Sequence, residues 1–225
     1  MLVAISQRRE KNKYGFDIDS LESSYVDYLK SFRIELLPIP NSARNIEEYF
    51  NSIPLKGLIL SGGNDISPKF YGQQSRQIST ISEIRDAAEK NMLENAIIKK
   101  VPVMGICRGT QFIWTYFGGK LVENLEEITN EKHAGAKHDI IIFGEKATKF
   151  KKINTRVNSF HNQGIIADEV PDQLDLFAKT ISGSIEGIYH RYLPIFGIMW
   201  HPERNSPDTE INEKLIKAFL NGGVL

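Results

Sequence analysis

The chain has 225 residues, a length that suits one α/β domain with a sizeable core, so we expect a single domain over residues 1–225. Lysine plus arginine equals aspartate plus glutamate, 28 each, and this zero formal charge argues against non-specific nucleic-acid binding. One cysteine excludes an intramolecular disulfide and favours a reducing compartment, and no apolar run approaches the length that spans a membrane. We therefore expect a soluble, cytoplasmic protein with no membrane and no nucleic-acid partner.

Apolar runs alternate with amphipathic segments along the chain, and this pattern predicts the strands and helices. The predicted strands lie at residues 2–6, 33–38, 57–61, 101–106, 138–143, 155–160, 174–179, 184–190 and 195–200. The predicted helices lie at residues 18–31, 45–51, 82–100, 108–118 and 208–221. The first half alternates strand and helix, which is typical of an α/β fold with a mostly parallel sheet and helices on both faces. Residues 138–200 contain no predicted helix long enough for a crossover, so we expect a small antiparallel extension there.

The segment PVMGICRGTQFIW contains the single cysteine at a predicted junction between a strand and a helix. Gly105 and Gly109 stand two residues before and two after Cys107, where a sharp reversal of the chain leaves no room for larger residues. This spacing is that of the nucleophile elbow of serine hydrolases, with sulfur in place of oxygen. The helix N-terminus favours the thiolate, so the pattern predicts a catalytic nucleophile. A buried structural cysteine is the alternative.

A second segment, FGIMWHPERN, predicts a short strand that is followed by His201 and Glu203. A catalytic thiol needs an imidazole within hydrogen-bond reach, and the imidazole needs an anion that fixes its tautomer. In extended chain, residues i and i+2 point the same way, so the carboxylate of Glu203 can reach the ring of His201. We interpret the pair as the base and its orienting anion. For this short motif taken alone, a surface turn is the alternative.

A third segment, KGLILSGGNDISPKFYG, predicts a buried parallel strand that ends at the paired glycines Gly62 and Gly63. Paired glycines at the end of a strand let backbone N–H groups come close to a bound oxygen. An ordinary tight turn is the alternative for these glycines taken alone.

Together with RVNSFHNQGI, these segments resemble the class I glutamine amidotransferase-like superfamily, and within it the gamma-glutamyl hydrolase branch. The resemblance covers residues 1–205 and implies a flavodoxin-like fold. It implies a triad of Cys107, His201 and Glu203. It also implies an oxyanion hole formed by the backbone N–H groups of Gly63 and Arg108. Six further residues are implied to bind the glutamyl substrate: Asn64, Gln111, Asn158, Ser159, Phe160 and His161.

The resemblance also implies an activity, the hydrolysis of the gamma-glutamyl amide bond of a small conjugate through a glutamyl thioester, without a cofactor. The leaving amine stays open between a gamma-aminobutyrate-like group and a cytidine-diphosphate amidate. We expect residues 64–82 and 126–138 to face this amine. One alternative is a glutaminase subunit that passes ammonia to a separate synthetase chain, and another is a non-catalytic binding protein. The sequence leaves the oligomeric state open, with a homodimer among the options.

Two further groups of residues carry charge or ligand atoms. Four of the five histidines stand outside the implied triad: His133, His138, His161 and His190. Their spacing matches no zinc pattern and no second cysteine is available, so we expect no bound metal. On the predicted helix 82–100, three charged residues either reach the site or form a solvated face: Arg85, Asp86 and Glu89.

Overall fold

The computed structural model describes residues 1–74, 80–151 and 153–223. Its strands are β1 (Leu2–Ser6), β2 (Arg8–Lys11), β3 (Asp17–Ser20), β4 (Glu35–Ile39), β5 (Leu58–Leu60), β6 (Val103–Ile106), β7 (Ala134–Ile142), β8 (Asn154–Phe160), β9 (Leu174–Thr180), β10 (Ile185–His190) and β11 (Ile195–Ile198). Its α-helices are α1 (Ser23–Lys30), α2 (Ile46–Ser52), α3 (Glu83–Lys99), α4 (Arg108–Tyr116), α5 (Leu125–Thr129), α6 (Gly144–Phe150) and α7 (Thr209–Leu220). A 3₁₀ turn covers Pro68–Tyr71.

Nine of these strands form one sheet in the order β4-β1-β5-β6-β11-β10-β9-β7-β8. The five strands from β4 to β11 pair in parallel, whereas β10, β9, β7 and β8 pair antiparallel to their neighbours. The predicted parallel sheet with an antiparallel extension is therefore confirmed. Because β6 and β11 are hydrogen-bonded neighbours, the chain segments that leave their carboxyl ends emerge side by side.

Helices cover both faces of the sheet, because side chains alternate along the strands. In β1, Ala4 packs into one apolar cluster, with Phe112 of α4 and side chains of α2 and α3. Its neighbours Val3 and Ile5 pack into a second cluster, with Phe219 of α7 and side chains of α1. Among the described residues, no helix is both long enough and apolar enough to cross a membrane.

The structure differs from the sequence prediction mainly near the N-terminus. Residues 18–20 were assigned to a helix by periodicity, but they belong to β3, which pairs with β2 in a separate two-stranded hairpin. The guanidinium of Arg9 pairs with the carboxylates of Asp17 and Asp19, so cross-strand charges stabilise a segment that is too polar for a buried strand. In addition, β7 begins at Ala134 rather than at residue 138, and the short helices α5 and α6 were not predicted.

Candidate active site

Cys107 lies at a sharp turn between β6 and α4. Its backbone has φ 53° and ψ −108°, a conformation that a non-glycine residue rarely adopts. A Cβ atom on Gly105 would lie 2.7 Å from the backbone of Gly109, and one on Gly109 would lie 2.0 Å from the carbonyl oxygen of Leu60. The backbone N–H of Cys107 donates to the carbonyl of Ile198 in β11, at 2.8 Å. The two glycines thus permit the elbow, and β11 anchors it.

His201 follows β11 and is buried beside this elbow. Its Nδ1 lies 2.6 Å from Oε1 of Glu203, so Nδ1 carries the proton that is donated to the carboxylate, and Nε2 remains for the thiol. Burial opposes protonation of the ring, but the Cys107 and Glu203 anions outweigh it and raise the pKa of His201 to about 9. The arrangement therefore favours a protonated His201 ring beside Cys107.

Asn158 holds the backbone that carries His201. Its Nδ2 donates to the carbonyls of His201 and Arg204, and its Oδ1 accepts from the N–H of His201. Asn158 and Ser159 are buried and do not line the cavity around Cys107. The implied contact of the Asn158 and Ser159 backbone with a glutamyl group stays a prediction, while the side chain of Asn158 fixes the segment that bears His201.

Gly63 and Arg108 border the same cavity as Cys107. Gly63 has φ 126°. The N–H of Arg108 belongs to the first turn of α4, where backbone donors have no partner within the helix. A Cβ on Gly62 would lie 2.7 Å from Cε1 of His201, so this glycine permits the close approach of the ring to the loop. The arrangement can supply two N–H groups to an oxygen that develops negative charge.

A buried ionic network lies beneath the elbow. The guanidinium of Arg108 pairs with the carboxylates of Asp86 and Glu89, and Nε of Arg85 lies 2.9 Å from Oε1 of Glu89. Nη2 of Arg85 also donates to the carbonyl of Ser61, at 2.7 Å. Burial raises the pKa of Asp86 to about 6 despite its arginine partner, whereas the two arginines outweigh burial at Glu89 and lower its pKa. Hence the helix face that bears Arg85, Asp86 and Glu89 is not solvated.

The cavity in front of Cys107 has a volume of about 750 Å³. Eleven of its lining residues come from the four quoted sequence segments: Gly63, Asn64, Asp65, Cys107, Arg108, Gln111, Phe160, His161, Asn162, His201 and Arg204. Glu203 lies behind His201 and is buried. The structure therefore brings the three implied triad residues together at one cavity.

Gln111 and His161 meet at one backbone carbonyl on the cavity wall. Nε2 of Gln111 donates to the carbonyl oxygen of Gln163 at 2.7 Å, and Nδ1 of His161 lies 2.9 Å from the same oxygen. The side-chain Oε1 of Gln163 accepts from the N–H of Ile66. The segment after β8 is thus fastened both to α4 and to the loop after β5.

The hairpin of β2 and β3 also lines the cavity, which sequence reasoning missed. Four cationic side chains besides Arg108 line it: Arg8, Arg9, Lys11 and Arg204. Asn64 binds this hairpin, since its Oδ1 accepts from the N–H of Arg9 and its Nδ2 donates to the carbonyl of Arg9. The signal that the sequence offers is the turn-forming Asn12 and Gly15 between two short polar runs.

Of the two segments that we expect to face a leaving amine, residues 64–82 contribute to the cavity and residues 126–138 do not. Asp65 and residues 80–82 line the cavity, whereas residues 75–79 lie outside the described residues. None of residues 126–138 lines it, because they form α5, a short link and the start of β7 on the far side of His161. The β2–β3 hairpin lines the cavity, whereas residues 126–138 do not.

A second cluster of ligand atoms adjoins the cavity wall. His133, His138 and Glu186 are buried, and their side chains each offer one ligand atom within 4.8 Å of the others. Sequence spacing gave no sign of this, because folding brings them together from β7 and β10.

The sheet order and the cysteine elbow define an α/β protein of the class I glutamine amidotransferase type. Two solved structures share this fold. The glutaminase domain of Trypanosoma brucei CTPS with bound acivicin has a TM-score of 0.65 and 13% identity, covering 100% of this chain and 95% of that one. A glutamine amidotransferase from Thermotoga maritima has a TM-score of 0.59 and 14% identity, covering 96% of this chain and 81% of that one.

The family follows from the sequence. The family model of Peptidase C26 matches residues 2–203, and the chain belongs to this family. The gamma-glutamyl-CDP-amidate hydrolase of Campylobacter jejuni is 33% identical over 210 residues, covering 92% of each chain. The glutamine amidotransferase-like protein YvdE of Lactococcus lactis is 28% identical over 211 residues, covering 89% of this chain and 88% of that protein. This membership supports a hydrolase.

Proposed function

We propose that the chain is a cysteine hydrolase that cleaves gamma-glutamyl amide bonds. The proposal is supported above all by the strained elbow at Cys107, which faces the hydrogen-bonded pair of His201 and Glu203 across one cavity. Backbone N–H groups at Gly63 and Arg108 supply the further element that acyl transfer needs.

The reaction begins when the thiolate of Cys107 attacks the side-chain carbonyl carbon of the glutamyl amide. A C–S bond forms, and the negative charge moves to the carbonyl oxygen, which the N–H groups of Gly63 and Arg108 bind. Losing one such donor costs roughly 100- to 1000-fold in turnover. The C–N bond then breaks as Nε2 of His201 donates its proton to the departing amine. Water attacks the resulting thioester, passes a proton to His201 and releases glutamate, which restores the thiolate.

For the leaving group, we propose an amine that bears phosphate, such as a cytidine-diphosphate amidate. This choice is supported by the named activity of the Campylobacter jejuni relative and by four cations at the cavity, whose carboxylate partners include Asp17, Asp19 and Glu22 and which phosphate oxygens would share. A gamma-aminobutyrate-like amine, with its single carboxylate, would use fewer of these cations.

The test compares kcat/KM for three gamma-glutamyl amides whose amines are uncharged, carboxylate-bearing or phosphate-bearing, with glutamine as a fourth substrate. We expect the phosphate-bearing amide to be hydrolysed fastest. If glutamine were the best substrate, and if a synthetase raised the rate, the chain would instead be a glutaminase subunit.

Glu203 is expected to orient and charge His201 rather than to transfer a proton. His201→Ala should lower kcat/KM by about 10²–10⁴-fold, and Glu203→Gln should lower it less because the ring remains. Since His201 is protonated below its pKa of about 9, kcat/KM should fall as the pH rises through that value. Loss of the Glu203 charge lowers this pKa, so the fall should move to lower pH in Glu203→Gln.

The matched control is Glu213→Gln, which makes the same substitution on an exposed carboxylate that pairs with Lys217 on α7. It should leave the pH profile unchanged. Full activity of Glu203→Gln with an unshifted profile would mean that Cys107 and His201 act as a dyad.

Gln111 and the hairpin should affect different parts of the substrate. Gln111→Ala should lower kcat/KM for every gamma-glutamyl amide alike, by about 1–3 kcal/mol of transition-state stabilisation, because the acyl side loses a buried polar contact. Arg8→Gln should instead lower kcat/KM mainly for the phosphate-bearing amide. The measurement is the ranking of the three amides for each variant.

Lys13→Gln is the control for Arg8, because Lys13 belongs to the same hairpin but does not line the cavity. A changed ranking in Gln111→Ala, or a uniform loss in Arg8→Gln, would show that the two sides of the cavity are assigned the wrong way round.

A further inference from the structure

Four ligand-bearing side chains meet inside the protein next to the cavity wall. They are His133, which precedes β7, His138 of β7, His161, which follows β8, and Glu186 of β10. Their side chains are at most 4% exposed. Nδ1 of His133 and Nε2 of His161 each lie 3.8 Å from Oε1 of Glu186, and Nε2 of His138 lies 3.5 Å from Oε2. The carboxylate thus has three imidazole nitrogens around it.

The tautomer of His161 follows from its hydrogen bond. Its Nδ1 lies 2.9 Å from the carbonyl oxygen of Gln163, which can only accept, so Nδ1 carries the proton. The other ring nitrogen, Nε2, faces the carboxylate of Glu186 at 3.8 Å, which is too far for a hydrogen bond. Buried polar atoms that face each other without a hydrogen bond need an ion or a water between them.

Other buried nitrogen and oxygen atoms of this cluster also lack hydrogen-bond partners within the described part of the chain. Among the described residues, neither ring nitrogen of His133 and neither of His138 has a hydrogen-bond partner, and Nε2 of His161 and Oε2 of Glu186 also lack one. Buried imidazole nitrogens and a carboxylate oxygen that lack other partners are ligand atoms that an ion of the zinc class binds.

We propose that His133, His138, His161 and Glu186 bind one divalent transition-metal ion of the zinc class. Imidazole with carboxylate is a donor set that suits zinc rather than magnesium or calcium. With metal–ligand bonds of about 2.0–2.1 Å, tetrahedral ligand atoms lie roughly 3.4 Å apart. In the structure the nitrogens lie 3.8 Å from Oε1 and 3.5 Å from Oε2 of Glu186, and the ligand atoms of His133, His138 and Glu186 all lie within 4.8 Å of one another, so small side-chain shifts would close the site around an ion.

The surroundings supply the outer hydrogen bond that metal-bound histidines usually have. The carbonyl of Gln163 accepts from Nδ1 of His161 and also from Nε2 of Gln111. A metal at Nε2 of His161 would therefore hold the segment after β8 against α4. The ion has a positioning role at the cavity wall, and the proposal does not depend on the hydrolase activity.

The experiment uses the full chain with Cys107→Ala, because a thiolate beside His201 is itself a metal ligand. After chelator treatment and dialysis, the protein is titrated with Co²⁺ and, separately, with Zn²⁺. We expect one equivalent to bind, with the intense visible absorption of tetrahedral cobalt and with a higher Tm in the presence of zinc. X-ray absorption at the zinc edge should show nitrogen and oxygen ligands, with imidazole scattering and no sulfur.

In the same background, His138→Gln and Glu186→Gln should each weaken zinc binding by about 100-fold or more. Mutation of a residue that only hydrogen-bonds a metal ligand typically weakens binding by about 10- to 100-fold. His190→Gln is the matched control, since this histidine is also buried but accepts from the N–H groups of Tyr192 and Leu193 elsewhere. It should bind one equivalent as before.

Two results would overturn the proposal. No uptake by the folded Cys107→Ala protein would mean that water, and not a metal, joins these side chains, and this result does not depend on whether the cluster variants fold. Uptake that survives both His138→Gln and Glu186→Gln would place the ion elsewhere.

Discussion

Replacement of Cys107 by alanine or serine should remove hydrolysis, by on the order of 10⁴-fold or more, while the fold stays intact. Neither variant can form the thioester, and neither adds a β-branched side chain at the elbow, where φ is 53°. Steady-state rates measure the loss, and circular dichroism with thermal unfolding measures the fold.

The same residue should react rapidly with iodoacetamide near neutral pH, because His201 stabilises the thiolate beside it. A glutamate-like inhibitor should slow this alkylation. The reference is the denatured chain, which contains the same single thiol without its surroundings. Labelling of the folded protein at the rate of the denatured one would contradict an activated nucleophile.

Arg108→Met should cause the largest loss of stability, because it leaves the carboxylates of Asp86 and Glu89 buried without their shared cation. Removing one partner from such a network typically costs about 3–5 kcal/mol. For a chain of this size, that corresponds to a decrease in Tm of roughly 10 °C. The measurement is the free energy of unfolding from denaturant titration, together with Tm.

Arg191→Met serves as the control, since Arg191 is 46% exposed and lies 3.9 Å from Asp175. A surface pair of this kind contributes at most about 1 kcal/mol. If Arg108→Met were as stable as Arg191→Met, the buried network would contribute nothing to folding. Methionine leaves the backbone N–H at position 108 in place, so the effect of the guanidinium is measured separately from that of the proposed oxyanion donor.

The elbow and the main sheet could be predicted because their signals are local. Gly105, Cys107 and Gly109 lie within five residues, and the parallel strands are mainly apolar runs that are visible without their neighbours. His201 and Glu203 are likewise close in sequence, only two positions apart. In extended chain their side chains point the same way, and the 2.6 Å hydrogen bond between them agrees with this.

What the sequence did not reveal depends on contacts between distant segments. Arg85 and Glu89 have the polarity of a solvated helix face, but in the fold Glu89 also pairs with Arg108, and Arg85 donates to the carbonyl of Ser61. The β2–β3 hairpin is polar on both faces and so lacks the apolar alternation that marks a strand. The resemblance implies substrate binding by the segment that contains Asn158, but it gave no sign that the amide of Asn158 binds the backbone of His201.

The parallel pairing of β6 with β11 also has a consequence for engineering. Cys107 and His201 are 94 positions apart in sequence (201 − 107). Their distance in space is set by the pairing of β6 with β11 and by the hydrogen bond from the N–H of Cys107 to the carbonyl of Ile198. A longer chain segment between these two residues therefore need not change the distance between them. A guest domain inserted at the β9–β10 turn, where Ile181 is 83% exposed, should leave the register of these two strands unchanged. Such a fusion could carry a reporter or a tether without changing the reacting groups.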